Sequence, residues 1–510
     1  MAEKRQKYFL ILLCGLIVIQ PFLDVMWLND GSIPEILGFT IPTLIRMLMV
    51  AVLGVFSFFT IRFNKKYLFM VSYGILIIIY FMIHHFHCSS DFQSLVPGNF
   101  GYSFLSELFY IVRMCIPIAV IYFTYNSVIN RKSFEKCVIT TSLIMSVSMI
   151  IANIFKIAFG SYTSVKIDGN IIDWFINPNA FVSNQLASKG FFYSSITSTV
   201  LVLFYPYLLY LFFKHKRAGY FAAVALQTIA LFMVGTKATS LSSIIVTVLM
   251  VLVYLFVTLI KRDYKISKAA LAGCVFFLVL NSVLMGVAPA TSKMEFDAQY
   301  SKDIDEDDID GTSKEYDLTE EDEEAIIDFF DENYAYLSIN EEFMLKSYPY
   351  KYDPVFWYKF YVDHVPSQRM QNRIVEEEIL KRVKEINDNK MDDWFGIGYT
   401  RTSNIYNLEK DFVYQYYSVG IAGVVLLLGP YIGILLFVML RMLVQFKKRV
   451  TVFNCALVLG IGLSLFLAYY SGNALENLGV TIALGFVYGF LLKENQKEQE
   501  AAAGEEIDEK

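Results

Sequence analysis

Long apolar runs separated by short polar connections make up most of this chain. A helix needs about 20 predominantly apolar residues to cross the hydrocarbon core of a bilayer. Twelve runs come near this length, at 8–28, 43–61, 67–86, 104–125, 137–158, 191–213, 219–235, 239–260, 269–288, 412–440, 452–470 and 475–492. The pattern therefore predicts an all-α, polytopic membrane protein with about twelve transmembrane helices.

The composition supports this prediction and excludes other classes. Of the 510 residues, 55% are hydrophobic and only 18% are charged, whereas about a quarter of the residues of an average soluble domain are charged. The net charge is −6, and the basic residues form no patch of the kind that binds nucleic acid. The six cysteines have no paired spacing, so we expect no disulfide framework, metal site or cofactor. The expected environment is the lipid bilayer.

The charges between the runs predict an orientation. Lys and Arg are concentrated in every second connection, at 4–7, 62–66, 131–136, 214–217, 261–268 and 441–449. The intervening connections, such as 29–42 and 87–103, are nearly free of them. Because cytoplasmic loops retain Lys and Arg, both termini are predicted to lie in the cytoplasm. An even number of spans agrees with this arrangement.

Four parts follow from this topology. They are the first nine helices at 1–288 with an outer connection at 159–190, one large extracytoplasmic loop domain at 289–411, the last three helices at 412–492, and a charged cytoplasmic tail at 493–510.

Two segments of the large loop have a clear pattern. Residues 301–332 are strongly acidic, which is typical of a solvated, partly disordered spacer. A calcium-binding loop is disfavoured there, because the first and twelfth positions of its spacing hold the wrong carboxylate. Residues 367–389 place apolar side chains at helical spacing. We predict an amphipathic helix that lies on the membrane-embedded body.

Three cations stand near predicted span ends on the outer side, where short connections such as 29–42 and 87–103 are nearly free of Lys and Arg. They are Lys189 before the sixth run, Lys237 in a short turn, and Arg401 at the end of a glycine-rich segment. Singly, each has a structural explanation, since a lysine at a helix end can extend to the interface or cap a turn. Together they favour an anionic ligand. A diphosphate fits, because cations stabilise the charge on a departing diphosphate.

Two carboxylates follow shortly after Arg401. Glu409 and Asp411 open the next apolar run, and a carboxylate near the cations can deprotonate an attacking hydroxyl. Five more charged residues lie within or at the ends of predicted spans, namely Asp24, Arg46, Glu107, Arg113 and Glu476. Charges at such depths are costly, so we expect them to be paired or to face a cavity. His84, His85 and His87 crowd one span end, but the surrounding residues do not favour a metal site.

With these motifs the chain resembles the O-antigen ligase/polymerase superfamily, and more narrowly the O-antigen ligase-like membrane proteins of Gram-positive bacteria. The resemblance covers most of the chain. It rests on Lys-Gly-Phe-Phe-Tyr-Ser at 189–194, the Thr-Lys turn at 236–237, Trp-Phe-Gly-Ile-Gly-Tyr-Thr at 394–400, Glu-Lys-Asp-Phe at 409–412 and Ser-Val-Gly-Ile-Ala-Gly at 418–423.

The resemblance implies a GT-C-like fold and a role for Lys189, Lys237 and Arg401 in binding a lipid-linked diphosphate sugar donor. Relatives commonly have arginine at the first two positions, and lysine forfeits bidentate phosphate binding. Many relatives also have a histidine in the long loop, proposed as base. Here the candidate is His364, which lies far from the glycine-rich segment in sequence, so Glu409 is the preferred base.

The predicted function is a membrane glycan transferase or polymerase of a bacterial plasma membrane, acting in cell-surface polysaccharide biosynthesis. It moves an oligosaccharide from an undecaprenyl-diphosphate carrier to an acceptor glycan hydroxyl on the outer face. The main alternative is a polysaccharide flippase or exporter. The single off-centre loop and the lack of an evident two-fold repeat disfavour a transporter. An inactive relative retained as a scaffold is a third alternative.

Overall fold

The structure is a computed structural model that describes residues 2–29, 39–61, 65–98, 100–177, 180–262, 267–311, 323–406 and 409–508. It is 79% helical, and these residues form no strands. The predicted all-α class is therefore confirmed.

Thirteen long helices, counted in chain order without those of residues 289–410, form the body of the molecule. They are α1 (Ala2–Val18), α2 (Ile41–Thr60), α3 (Lys65–Cys88), α4 (Phe104–Asn126), α5 (Arg131–Ile154), α6 (Thr199–His215), α7 (Ala218–Met233), α8 (Lys237–Leu255), α9 (Lys268–Val287), α10 (Asp411–Leu427), α11 (Gly429–Val444), α12 (Val452–Tyr470) and α13 (Leu478–Asp508). We call the helix ends that adjoin residues 155–194 and 289–410 the loop side.

All twelve predicted apolar runs are helical over most of their length. Within the described ranges, nine helices are long and apolar enough to cross a membrane. The three runs outside this set lie in α1, in the 16-residue α7, and in the apolar first half of α13. Nine spans are thus supported by length and composition, and twelve remains a prediction.

The tenth run has a break that the pattern did not predict. α10 and α11 follow each other with almost no interruption, but Gly420 inside α10 has φ 65° and ψ −178°, which is not helical. The residues after this kink, 421–444, are still long enough to cross a bilayer at 1.5 Å per residue. The first nine residues of α10 are thereby separated from the spanning part.

The centre of the bundle is α6. Its apolar side chains, including Val202, Phe204 and Tyr205, are buried on all sides. A Cβ added at Gly460 of α12 would lie 2.3 Å from the carbonyl oxygen of Leu203, so a glycine lets α12 approach α6 closely. By contrast α3 is mostly exposed, which in a membrane protein corresponds to contact with lipid.

A second apolar cluster forms mainly within residues 289–410, and Val96, Phe100 and Tyr417 join it from outside this range. The helices there are Pro289–Gly311, Glu323–Asn333, Pro354–Asp363, Pro366–Arg369, Asn372–Asn387, Asp392–Phe395 and Tyr399–Thr402. Val375, Ile379, Leu380 and Val383 of Asn372–Asn387 pack into this cluster beside the buried Trp357. The predicted amphipathic helix thus buries its apolar face among the loop helices. Part of the predicted acidic spacer, 312–322, lies outside the described residues.

Candidate functional site

The glycine-rich segment packs directly on the kink of α10. The Gly398 N–H donates to the Ser418 carbonyl at 3.1 Å. A Cβ added at Gly396 would lie 2.4 Å from the same carbonyl oxygen, and one at Gly420 would lie 2.4 Å from the Phe395 nitrogen. The two motifs at 394–400 and 418–423 are therefore two halves of one main-chain contact, which only glycine permits.

We expect Gly420→Ala to destabilise the protein by several kcal/mol. Its φ of 65° with ψ of −178° is a conformation that is essentially restricted to glycine and costs other residues roughly 1–3 kcal/mol before any clash is counted. The matched control is Gly462→Ala in α12, where an added Cβ meets nothing within 4 Å. Thermal unfolding in detergent should show a large loss for Gly420→Ala and none for Gly462→Ala. Equal melting temperatures would contradict the close contact.

A buried carboxylate anchors the next turn. Glu107 of α4 accepts hydrogen bonds from the Tyr399 N–H at 3.0 Å, from the Thr400 N–H at 2.7 Å and from the Thr400 hydroxyl at 2.6 Å. The Nε2 of His84 lies 3.2 Å from the same carboxylate, and its Nδ1 lies 2.7 Å from the Phe395 carbonyl. Both imidazole nitrogens thus lie within hydrogen-bond distance of an oxygen. The pair joins α3 and α4 to the glycine-rich segment.

Arg401 follows this turn in the chain and is 4% exposed. Its guanidinium donates to three main-chain carbonyls, those of Phe100 at 2.9 Å, Ile397 at 3.0 Å and Cys88 at 2.8 Å. It also lies 4.1 Å from the centre of the Phe92 ring. The predicted diphosphate role of Arg401 stays a prediction, but these contacts direct its donors to the protein.

The two predicted carboxylates differ in their surroundings. Glu409 forms an ion pair with Arg373 of the Asn372–Asn387 helix at 2.5 Å. Asp411 is buried at the start of α10 and accepts the Leu475 N–H at 2.9 Å. Asp411 therefore holds the turn between α12 and α13, and Glu409 holds the loop helices against the same region.

The remaining predicted base, His364, follows the Pro354–Asp363 helix. Its Nδ1 lies 3.0 Å from the Phe360 carbonyl, and its ring stacks on the Phe360 ring at 4.4 Å between centroids. The contacts found for His364 thus lie within its own segment. The structure brings Arg401, Glu409 and Asp411 to the loop side around α10, whereas His364 packs on Phe360 of the helix that precedes it.

A third carboxylate, which the sequence analysis missed, lies beside Glu409. Glu376 is 1% exposed, and each of its carboxylate oxygens lies 3.1 Å from the Glu409 main-chain nitrogen. Burial, and to a lesser extent the neighbouring Glu409 carboxylate, raise the pKa of Glu376 from 4.5 to about 8. Glu376 therefore holds a proton at neutral pH.

This raised pKa predicts a pH-dependent stability. Between pH 4.5 and 8 the folded protein keeps a proton on Glu376 that the unfolded chain has released, so stability falls as the pH rises through this window. The loss is on the order of 5 kcal/mol when complete. Melting temperatures of wild type should drop more between pH 5 and 9 than those of Glu376→Gln. Parallel curves for the two proteins would contradict the buried, protonated carboxyl.

The intramembrane charges form ion pairs, which is one of the two arrangements expected from the sequence. Asp24 and Arg46 form an ion pair at 2.6 Å, and Arg113 and Glu476 form another at 2.9 Å. All four side chains lie toward the loop side, where each charge offsets the other's desolvation.

A cluster of lysines lies on the loop side near the ends of α7, α8 and α9, away from the glycine-rich segment. The residues after α5 fold over the turn between α7 and α8, where the Tyr162 hydroxyl donates to the Gly235 carbonyl at 3.2 Å. The next residue, Thr163, accepts a hydrogen bond from the Lys189 ammonium at 3.0 Å through its carbonyl. Lys189 is only 7% exposed, and burial lowers the pKa of Lys189.

Two further lysines belong to this region, one beside Tyr162 and one at the start of α8. The Lys293 ammonium lies 4.5 Å from the centre of the Tyr162 ring. Lys237, at the start of α8, forms an ion pair with Asp297 at 2.9 Å. Burial, and to a lesser extent the Asp297 charge, raise the pKa of Tyr162 to about 12. We call Lys189, Lys237, Lys293, Tyr162 and Asp297 the lysine cluster.

The lysine cluster combines three ammonium groups with one carboxylate. Within the described residues, Lys189 forms no ion pair. A buried ammonium without a carboxylate is costly unless an anion reaches it. The cluster is therefore suited to bind an anion, and Tyr162 offers an aromatic face beside it.

Lys293 and Asp297 were not predicted from the sequence. They lie in the large loop, just before its acidic segment 301–332. They are four residues apart in the Pro289–Gly311 helix, so they share one helix face directly after α9. The spacing of four residues between a lysine and an aspartate was the feature of the sequence that could have identified this pair. Among the described residues, no group of three His, Cys, Asp or Glu side chains has the arrangement of a metal site.

The comparison with known families agrees with this architecture. The profile of the family described as "O-antigen ligase like membrane protein" matches residues 5–498. No curated protein matches the chain. Because the match covers nearly the whole chain, including both the lysine cluster and the glycine-rich segment, this chain belongs to the O-antigen ligase-like membrane proteins.

Proposed function

We propose that this protein transfers an oligosaccharide from an undecaprenyl-diphosphate carrier to a sugar hydroxyl on the outer face of a bacterial plasma membrane. The family is consistent with a membrane glycan-processing enzyme. The basic connections predict that the loop side faces outward, which places the lysine cluster where a lipid-linked donor exposes its headgroup.

One observation carries the proposal. Lys189 is a nearly buried ammonium whose hydrogen bond goes to the Thr163 carbonyl. The ring of the preceding residue, Tyr162, lies against Lys293, and Asp297 on the same helix as Lys293 pairs with Lys237. Phosphate oxygens give such ammonium groups strong, charge-assisted hydrogen bonds. A diphosphate bound here offsets the desolvation of the Lys189 ammonium and pairs with the charges of Lys237 and Lys293.

The chemistry uses the same charges. The acceptor hydroxyl oxygen attacks the anomeric carbon of the donor sugar, a new C–O bond forms, and the bond between that carbon and the diphosphate oxygen breaks. The electron pair of the broken bond stays on the diphosphate. Preorganised ammonium groups stabilise this charge as it develops, which lowers the barrier.

The proton of the acceptor hydroxyl needs a base, and we assign it to Asp297. This carboxylate contacts a lysine of the cluster directly and is about one-third exposed. A diphosphate that binds Lys237 releases Asp297 next to the donor. Glu409, Asp411 and His364 have other contacts, with Arg373, with Leu475 and with Phe360 respectively.

Arg401 has a different role in this proposal. Its three carbonyl contacts fix the glycine-rich segment against α3 and α4, so we assign it to positioning the loop helices rather than to the diphosphate.

The test is glycan transfer by the purified protein in detergent. With lipid-diphosphate oligosaccharide alone, a polymerase should release the carrier diphosphate and form longer glycans, whereas a ligase needs a different acceptor. A flippase or exporter gives no covalent product when no membrane separates two sides. Absence of product with an intact, folded protein and several acceptor glycans would overturn the proposal.

A further inference from the structure

A groove of about 510 Å³ runs between α9 and α8, the helix that begins with Lys237 of the lysine cluster. Its lining includes Thr247 and Val248 of α8 and Asn281, Ser282 and Gly286 of α9, and it ends at Thr291. Lys237 begins α8, and the groove-lining residues Ile244 and Val248 follow it by 7 and 11 residues, so all three lie on one face of this helix. Val248 is roughly 16 Å from Lys237 along the helix axis at the helical rise. The groove thus leads from the cations into the apolar layer.

The polar side chains that line this groove are already bonded within the helices. The Asn281 amide donates to the Thr247 hydroxyl at 3.1 Å and to the Phe277 carbonyl at 2.8 Å. Thr247 donates to the Ser243 carbonyl at 2.8 Å. The Ser282 and Thr291 hydroxyls donate to carbonyls of α9. An occupant therefore meets mainly methyl and methylene groups, which suits hydrocarbon and not a sugar.

The groove also opens sideways. Val248 is 39% exposed at its rim, and a Cβ added at Gly286 meets no atom within 4 Å. A chain can therefore enter from the bilayer without passing through the bundle. A volume of this size holds a ligand of drug-like dimensions, which corresponds to a few isoprene units and not to a whole long chain.

The geometry points to this groove as the site for the first isoprene units of the donor lipid, those next to the diphosphate on the lysine cluster. This inference rests on the proposed function, because the diphosphate at the cluster fixes where the chain begins. It adds a second recognition element: the α8–α9 groove selects an isoprenoid carrier by its hydrocarbon part.

A second apolar groove supplies the matched control. It measures about 550 Å³, lies between α3, α4 and α11, and is lined by Tyr73, Tyr125 and Gly433 among others. It adjoins the opposite end of α4 from Glu107, away from the lysine cluster. An added Cβ at Gly433 also meets nothing within 4 Å. Gly286→Phe and Gly433→Phe therefore each fill one groove with the same side chain.

The test is photo-cross-linking with an isoprenyl diphosphate that carries a diazirine near the diphosphate and no sugar. In wild type the label should map to residues 244–248 and 278–291. Gly286→Phe should reduce this labelling by about tenfold or more, since displaced CH₂ groups contribute about 0.8 kcal/mol each. Gly433→Phe should leave it unchanged. Unlabelled isoprenyl diphosphate should compete, and phospholipid should not.

Each other outcome overturns the groove assignment. Labelling elsewhere, full labelling of Gly286→Phe, equal loss in both variants, or competition by phospholipid would each show that the groove does not hold the donor chain. Because the probe carries no sugar, the result is independent of turnover. Labelling of the groove with no glycan product would refute the proposed transfer and support the groove assignment. Product formation without labelling of the groove would support the transfer and refute the groove assignment.

Discussion

Replacing Lys189 by methionine should lower turnover of the lipid-linked donor by about 10²–10³-fold, as does removal of one preorganised donor to a developing anion. Methionine keeps the length and the apolar contacts of the side chain but removes the charge. The loss should come mainly from donor binding and from the chemical step, because the buried ammonium faces the diphosphate in both. Initial rates over a range of donor concentrations measure it.

Lys156→Met is the control for this change. Lys156 lies on the same loop side and pairs with Asp173 at 3.0 Å, but it is 42% exposed and has no contact with Tyr162 or Thr163. An exposed ion pair contributes little, so Lys156→Met should turn over the donor at nearly the wild-type rate. Equal effects of the two substitutions would argue against a specific site at Lys189.

Asp297→Asn should reduce turnover by about 10²–10⁴-fold while donor binding persists, because general-base assistance is typically worth that factor. Asparagine has nearly the same shape but cannot accept the proton. Since it no longer pairs with Lys237, binding of the diphosphate should stay equal or tighten. The rate of the chemical step in a single turnover, measured with saturating enzyme, separates the two effects.

The comparison variants for Asp297 are Glu409→Gln and His364→Ala. Their contacts are to Arg373 and to the Phe360 carbonyl, so we expect small effects on the chemical step. If Glu409→Gln abolished that step and Asp297→Asn did not, the base would be the carboxylate preferred from sequence. A dominant effect of His364→Ala would assign it to the histidine.

The sequence predicted the helices well because the bilayer imposes a long, simple hydrophobic signal. It also predicted that Asp24, Arg46, Arg113 and Glu476 are paired or face a cavity, because isolated charges at those depths are costly, and the structure pairs them. The kink at Gly420 was not predicted. A glycine inside an apolar run is compatible with a regular helix, and only its contact with the glycine-rich segment reveals the break.

The site was harder to predict, because the partners of a charged side chain depend on tertiary structure. The sequence suggested that the Arg401 guanidinium is available to a ligand, but its acceptors are carbonyls of residues as distant in sequence as Cys88 and Phe100. Main-chain carbonyls leave no trace in the residue pattern. Glu376 resembled any charged position on an amphipathic helix, and its burial follows from the way that the helix docks on Glu409.

The central claim is that the lysine cluster binds the diphosphate of the donor, and one binding measurement tests it most directly. The affinity of undecaprenyl diphosphate is compared between wild type and a Lys189→Met, Lys237→Met, Lys293→Met variant, with undecaprenol as the uncharged reference. The account predicts that the variant binds the diphosphate at least about 100-fold more weakly, or roughly 2.7 kcal/mol, and binds undecaprenol as wild type does. Wild-type affinity of the triple variant for the diphosphate would contradict it.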